Sequence, residues 1–95
     1  MPRITRWLPE ENRYALDPAR IGQDPEGCVG DAVERLAAYE NLFEHLHTRI
    51  REIPEELAAL RAQGKEKTVT FRELAAQKLM YQAWIEMAEE YGAKG

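Results

Sequence analysis

Eight apolar residues between positions 29 and 53 recur at alternating intervals of three and four. They are Val29, Ala32, Leu36, Tyr39, Phe43, Leu46, Ile50 and Ile53. This spacing places them along one side of an α-helix, in a seam about three heptads long. Because such a seam must be buried, it needs at least one partner helix. The sequence therefore predicts a mainly α-helical protein, a small bundle of two long helices and one short helix.

The ends of the seam predict where its helix begins and stops. Asp31 is predicted to be the N-cap, with Glu34 three residues later as in a capping box. Pro54 is predicted to stop or kink the helix, because proline suits the first turn of a new one. The short helix would then run from Pro54 to about Ala62 and end before Gly64.

The last helix is predicted from Phe71 to about Tyr91, with Thr70 and Glu73 as a second capping box and Gly92 as its stop. Its apolar surface covers more than half of its circumference. One broad arc comprises Ala76, Leu79, Met80, Ala83, Trp84, Met87 and Tyr91, and Leu74, Tyr81, Ile85 and Ala88 extend it on its far side. One side of this helix can cover the seam, so the other side is predicted to contact a second subunit. A homo-oligomer, a dimer or higher, is therefore expected.

Residues 1–30 have a different composition from the rest of the chain. Four of the five prolines lie there, and no helical period is present. We therefore divide the chain into an N-terminal arm, 1–30, and a helical domain, 31–95, within one domain overall. The arm is predicted to be irregular or a β-hairpin, in which Arg13–Leu16 pairs with Arg3–Leu8.

Composition limits the functional classes. The chain has 95 residues, a net charge of −4 and one cysteine, so it cannot form an intrachain disulfide. It has no apolar run long enough to span a membrane, and its first residues lack the apolar core of a signal peptide. A cytoplasmic protein is expected. The acidic balance disfavours broad contact with nucleic acid.

No catalytic or metal-binding pattern is present. His45 and His47 are two residues apart and point away from each other on a helix, so they cannot share a metal ion. Cys28 is flanked by Glu26 and Asp31, which oppose formation of its thiolate. We therefore predict no catalytic residues, no metal and no cofactor, and a protein that is not an enzyme.

The arm carries the strongest binding pattern. Arginines lie close to Trp7 and Tyr14, and guanidinium and aromatic groups together suit a nucleotide's phosphate and base. The predicted ligand-binding residues are Arg3, Arg6, Trp7, Arg13, Tyr14 and Arg20. The alternative is that the two aromatic residues only hold the arm against the helices. A second candidate is the helix start near Lys65, Lys67 and Arg72, where a solubilising turn is the alternative to an anion site.

Three short motifs resemble those of small uncharacterised proteins from phages and prophages of Gram-positive gut bacteria. They are Arg3-Ile4-Thr5, Arg35-Leu36-Ala37-Ala38-Tyr39-Glu40 and Pro54-Glu55-Glu56. The family usually turns directly after its Tyr-Glu pair, whereas this chain continues as predicted helix through Asn41, Leu42 and Phe43. The resemblance implies a phage setting and function by binding, and it transfers no catalytic residue.

These observations lead to two functional hypotheses. The first is a non-enzymatic phage-type binding protein that counters host defence, either by sequestering a nucleotide-derived immune signal or by capping a host protein. The alternative is a transcription or replication accessory that contacts DNA or a DNA-bound protein. The −4 charge and the lack of a helix-turn-helix pattern count against direct DNA contact.

Overall fold

The computed structural model describes residues 2–93. Its elements are the strands β1 (Thr5–Leu8) and β2 (Arg13–Leu16), a 3₁₀ turn (Pro18–Arg20), the strands β3 (Gly22–Asp24) and β4 (Gly27–Val29), and the helices α1 (Asp31–Ala62) and α2 (Val69–Glu90). The chain forms two compact units, an N-terminal unit that extends to Tyr39 and a helical unit that begins at Glu40. The predictions of a mainly helical fold and of an N-terminal hairpin are confirmed. No helix in residues 2–93 is long and apolar enough to cross a membrane.

Strands β1 and β2 form an antiparallel hairpin in which Trp7 pairs with Tyr14 and Thr5 with Leu16. The predicted strand Arg13–Leu16 is present with the predicted bounds. The turn between the strands ends at Asn12, whose φ of 54° lies in the left-handed region that asparagine tolerates better than most residues.

A second hairpin, β3 and β4, was not anticipated from the sequence. Its turn is Asp24-Pro25-Glu26-Gly27, in which proline and glycine occupy the second and fourth positions of a four-residue turn. The Asp24 carboxylate accepts a hydrogen bond from the Glu26 backbone N–H at 3.0 Å, which stabilises the turn locally.

Helix α1 is capped by Gly30 and not, as predicted, by Asp31. The Gly30 carbonyl accepts the first helical hydrogen bond, from the Glu34 N–H at 3.0 Å. Asp31 lies in the first turn, where its carboxylate binds the Arg20 guanidinium. This contact lowers the pKa of the Asp31 carboxyl from its usual value of 3.8.

Helix α1 continues without interruption through Pro54, so the prediction of a separate short helix from Pro54 to Ala62 is wrong. Proline leaves the Ile50 carbonyl without its usual helical donor. Arg49 and Glu56 compensate across this point, because residues seven apart lie on the same helix face. Their two hydrogen bonds, both 3.0 Å long, form a bidentate pair that brackets the proline.

Helix α2 begins two residues earlier than predicted, and its N-cap is Thr68 and not Thr70. The Thr68 hydroxyl accepts a hydrogen bond from the Phe71 N–H at 3.3 Å. At the other end, Gly92 has a φ of 96° and donates to the Glu89 carbonyl, while Ala93 donates to Ala88. This is the Schellman arrangement, and it confirms the predicted stop at Gly92.

The predicted seam is buried at only three of its eight positions, Ala32, Leu46 and Ile53. In the helical unit Leu46 and Ile53 are buried, as is Ile85 of α2, whereas Leu36 and Tyr39 of the N-terminal unit are about half exposed. The prediction that the whole seam is covered by a helix is therefore wrong. A 22-residue helix is about 33 Å long and matches only about two-thirds of a 32-residue one.

The Arg49–Glu56 pair predicts how stability depends on pH. Arg49 lowers the pKa of the Glu56 carboxyl from its usual 4.5, so the pair stabilises the fold above that pH and its contribution is lost as pH falls through the lowered value. Glu56→Gln should remove this part of the acid sensitivity. The measurement is the urea midpoint between pH 3 and 7, followed through Trp84 fluorescence in a Trp7→Phe background.

Glu55→Gln is the matched control, since Glu55 is exposed and has no ion-pair partner within residues 2–93. The control should keep the wild-type difference in midpoint between neutral and acid pH. Equal flattening of the profile in both variants would contradict the role of the pair.

Candidate functional site

A groove of about 550 Å³ lies entirely within the N-terminal unit. Its lining residues are Pro2, Arg3, Ile4, Thr5, Leu16, Ala32, Arg35, Leu36 and Tyr39. The lining combines aliphatic side chains with two arginines, and the volume falls in the range of roughly 300–1,000 Å³ typical of small-molecule sites. We therefore take this groove as the candidate site.

One wall of the groove comes from the β1–β2 hairpin. Alternation along the strands places Thr5 and Trp7 on the same face as their cross-strand partners, Leu16 and Tyr14. Thr5 and Leu16 line the groove directly. The aromatic pair extends this face beyond them.

The opposite wall comes from the first turns of α1. Arg35 and Tyr39 are four residues apart and therefore neighbours on one helix face, with Leu36 beside them. Leu36 is 59% exposed and Tyr39 is 46% exposed, so this wall offers apolar surface that is not buried in the core.

Hydrogen bonds hold the two arginines without engaging all their donors. Arg35 Nη1 donates to the Pro2 carbonyl at 2.6 Å, and Arg3 Nε donates to Thr5 Oγ1 at 3.2 Å. Within residues 2–93 neither arginine forms an ion pair with a carboxylate. A guanidinium carries five N–H donors, so each can still bind an anion.

The aromatic residues of the arm pack on each other. The Trp7 and Tyr14 rings meet edge to face with centroids 5.0 Å apart, and the Arg3 guanidinium lies over the Tyr14 ring at 5.3 Å. Both rings nevertheless remain about half exposed. Their packing fixes the hairpin and orients Arg3, and it leaves ring surface for a ligand.

The structure thus brings together three of the six predicted binding residues, namely Arg3, Trp7 and Tyr14. Arg6 and Arg13 belong to the other face of the hairpin by strand alternation. Arg13 is also paired with Glu11 at 2.8 Å.

Arg20 lies apart from these residues in the 3₁₀ turn, where its guanidinium binds Asp31. It is absent from the residues that line the groove.

The α1 wall of the groove was not predicted from the sequence. Leu36 and Tyr39 were expected to be buried in the seam, and Arg35 was not among the predicted ligand-binding residues. The available signal was an arginine and an aromatic residue four apart, directly after a segment rich in arginine.

The titratable residues considered for catalysis do not form a cluster. The His45 ring meets Tyr81 of α2 edge to face, with centroids 6.3 Å apart, and Cys28 is exposed. Within the described residues, no three His, Cys, Asp or Glu side chains are placed to hold a metal ion.

Comparison of the chain with protein-family models, curated proteins and solved structures gives no match.

Proposed function

We propose that the chain is a non-enzymatic binding protein whose N-terminal unit binds a small, phosphate-bearing ligand. The observation that carries the proposal is the pair of arginines, Arg3 and Arg35, at an apolar groove and without carboxylate partners in the described chain. Guanidinium groups bind phosphate oxygens with two parallel hydrogen bonds, which gives both affinity and orientation.

The rest of the groove suits a flat, weakly polar group attached to the phosphate. Ile4, Leu16 and Leu36 supply aliphatic surface, and the Tyr39 ring supplies a partly exposed face. Stacking on such a face favours any nucleobase, because every base has a π-surface. A nucleotide-derived molecule combines these two features, so it is the proposed ligand class.

In the phage setting that the resemblance implies, sequestration of this ligand would act against a host defence that uses nucleotide-derived signals. A binding protein needs no catalytic group for this role. It needs only enough affinity and abundance to lower the free concentration of the signal.

Ligand binding predicts a thermal shift, because a molecule that binds only the native state stabilises it. The probes are ADP-ribose, a cyclic dinucleotide and inorganic phosphate. At least one nucleotide probe should raise the melting temperature. Arg35→Ala should weaken its binding about tenfold or more, measured by calorimetry, because a charge-assisted hydrogen bond is worth about 1.5–3 kcal/mol.

Arg6→Ala is the matched control, since it removes the same side chain from the opposite face of the hairpin. It should leave the affinity unchanged. In a Trp84→Phe background, Arg35→Ala must also keep the Trp7 fluorescence of the folded hairpin, which separates loss of binding from loss of structure. Equal loss of affinity in both variants would overturn the assignment of the groove.

Failure of every nucleotide probe would overturn sequestration. Binding of a short DNA duplex with an affinity that falls steeply with salt would instead support the accessory role on DNA.

A further inference from the structure

The outward face of α2 is apolar over most of its length and is interrupted by one exposed acidic residue, Glu73. Its apolar residues are Val69, Ala76, Met80, Ala83, Trp84, Met87 and Tyr91, with Leu79 at the border, and all are exposed. At 3.6 residues per turn, the first seven fall within about 100° of the helix circumference. The large side chains are far from buried, as Leu79 at 69% and Trp84 at 57% show.

This face is separate from the one that packs inside the helical unit. The partly or fully buried residues of α2 include Phe71, Leu74, Tyr81 and Ile85, which lie on the opposite side of the helix. Helix α2 thus has two apolar sides, and only one is covered by its own chain. An apolar patch of this extent marks an interaction surface, since monomers rarely expose one.

We propose that this face is the interface of a homodimer in which the α2 helices of two copies pack antiparallel about a two-fold axis. A two-fold interface must be complementary to itself, so each residue needs a suitable partner in the same surface. Both the side-chain sizes and the charges of α2 meet this requirement.

The side-chain sizes along α2 are complementary when the two-fold axis passes between residues 81 and 82. Antiparallel pairing then places Ala76 opposite Met87 and Met80 opposite Ala83, and symmetry repeats each contact. Small residues thus face large ones along the centre of the interface, the alternation that allows two layers to interdigitate. Trp84 lies beside this centre, where buried aromatic residues contribute most to association.

Charge along α2 also favours the antiparallel arrangement. Arg72 lies near the start of the helix, with Lys65 and Lys67 just before it and one acid, Glu73, after it, whereas Glu86, Glu89 and Glu90 lie near its end. No basic residue lies in the last turn and no acidic one in the first. This order opposes the helix dipole, which favours acids at the start and bases at the end.

In an antiparallel dimer the basic start of each α2 helix lies beside the acidic end of the other, so the two charge distributions become complementary. Helical geometry puts Arg72 and Glu90 at the same border of the apolar face. The proposed register sets Arg72 of one copy opposite Tyr91 of the other, and therefore within one residue, about 1.5 Å along the helix axis, of Glu90. The contact occurs twice in the dimer. A parallel pairing would instead bring the two basic helix starts together and the two acidic helix ends together, so charge favours the antiparallel form.

The first test is the mass of the full chain by light scattering. The wild type should have twice the chain mass of 11.0 kDa at micromolar concentration. Met80→Glu should raise the dissociation constant about a hundredfold or more, because it buries an unpaired carboxylate at the centre of the interface. Leu36→Glu is the control, an equivalent change at an exposed leucine of α1, and it should leave the dimer intact.

Circular dichroism of Met80→Glu should retain the helical signal, because Met80 is half exposed in the single chain. A wild-type mass of 11.0 kDa would overturn the dimer and leave the face for a different protein. An unchanged mass in Met80→Glu would overturn this interface.

The second test is charge exchange, which reports on direction and register. Arg72→Glu and Glu90→Arg should each weaken self-association about tenfold, through two like-charge contacts. A mixture of the two variants should recover wild-type affinity, because both contacts in the heterodimer are then opposite in charge. Failure of the mixture to recover would overturn the antiparallel register.

Since the face lies in the helical unit and the groove in the N-terminal unit, Leu36→Glu and Met80→Glu also separate the two proposals. The first should affect only ligand binding and the second only association.

Discussion

Ile53→Ala should lower the free energy of unfolding of the helical unit by about 2–5 kcal/mol. Ile53 has no exposed surface, and it is the largest side chain that is fully buried in the described chain. Truncation removes its buried methyl and methylene groups and leaves a cavity between helices. The measurement is urea unfolding monitored through Trp84 fluorescence in a Trp7→Phe background at fixed protein concentration.

Ile50→Ala is the matched control, since it makes the same change one turn earlier on α1 at a position that is only partly buried. Its loss should be clearly smaller. Where Ile53→Ala leaves too little folded protein to measure, Ile53→Val should cost about 0.5–1.5 kcal/mol and keep the comparison quantitative. A loss at position 50 equal to that at position 53 would contradict the assignment of Ile53 to the centre of the core.

Ile53 also shows how much of the core can be predicted from the spacing of apolar residues in the sequence. The alternation of three and four identified the helix and the buried side of its second half, where Leu46 and Ile53 lie in the core. It identified Leu36 and Tyr39 as core as well, and they are not. Periodicity gives the direction of a side chain on its own helix, whereas burial also depends on how far the covering helix extends.

Pro54 shows a second limit of prediction from the sequence. The local cost of a proline in a helix, about 3 kcal/mol, favours a break when only neighbouring residues are considered. The helix continues because Ile53 is buried and the Arg49–Glu56 pair holds the chain on both sides of the proline. These contributions depend on packing and on side-chain geometry two turns apart, and a local motif does not contain them.

The candidate site could be predicted only in part, because the sequence does not give the register of the hairpin or the placement of α1 beside it. Arginine next to aromatic residues identified Arg3, Trp7 and Tyr14, which the structure places on one face. The pattern did not distinguish the two faces of the hairpin, because the register of the strands was not known. Arg35 and Tyr39 were missed, since their contribution depends on how the start of α1 lies within the N-terminal unit.

Gly30→Ala should destabilise the N-terminal unit by about 3–5 kcal/mol. Gly30 has a φ of 127°, and a Cβ there would overlap the Arg20 carbonyl group and lie 3.1 Å from the Ile21 Cα. The backbone atoms of the 3₁₀ turn and the residue after it cannot move aside as a flexible side chain would. The measurement is urea unfolding followed through Trp7 fluorescence in a Trp84→Phe background.

Gly27→Ala is the control that separates backbone strain from steric overlap. Gly27 has a similar φ of 139°, but a Cβ there would have no atom within 4 Å. Its loss should be about 1–3 kcal/mol, the cost of the conformation alone. The excess at Gly30 then measures how firmly the start of α1 is seated against the Arg20–Ile21 backbone. Equal losses at the two glycines would mean that this contact relaxes freely and does not fix the arm in place.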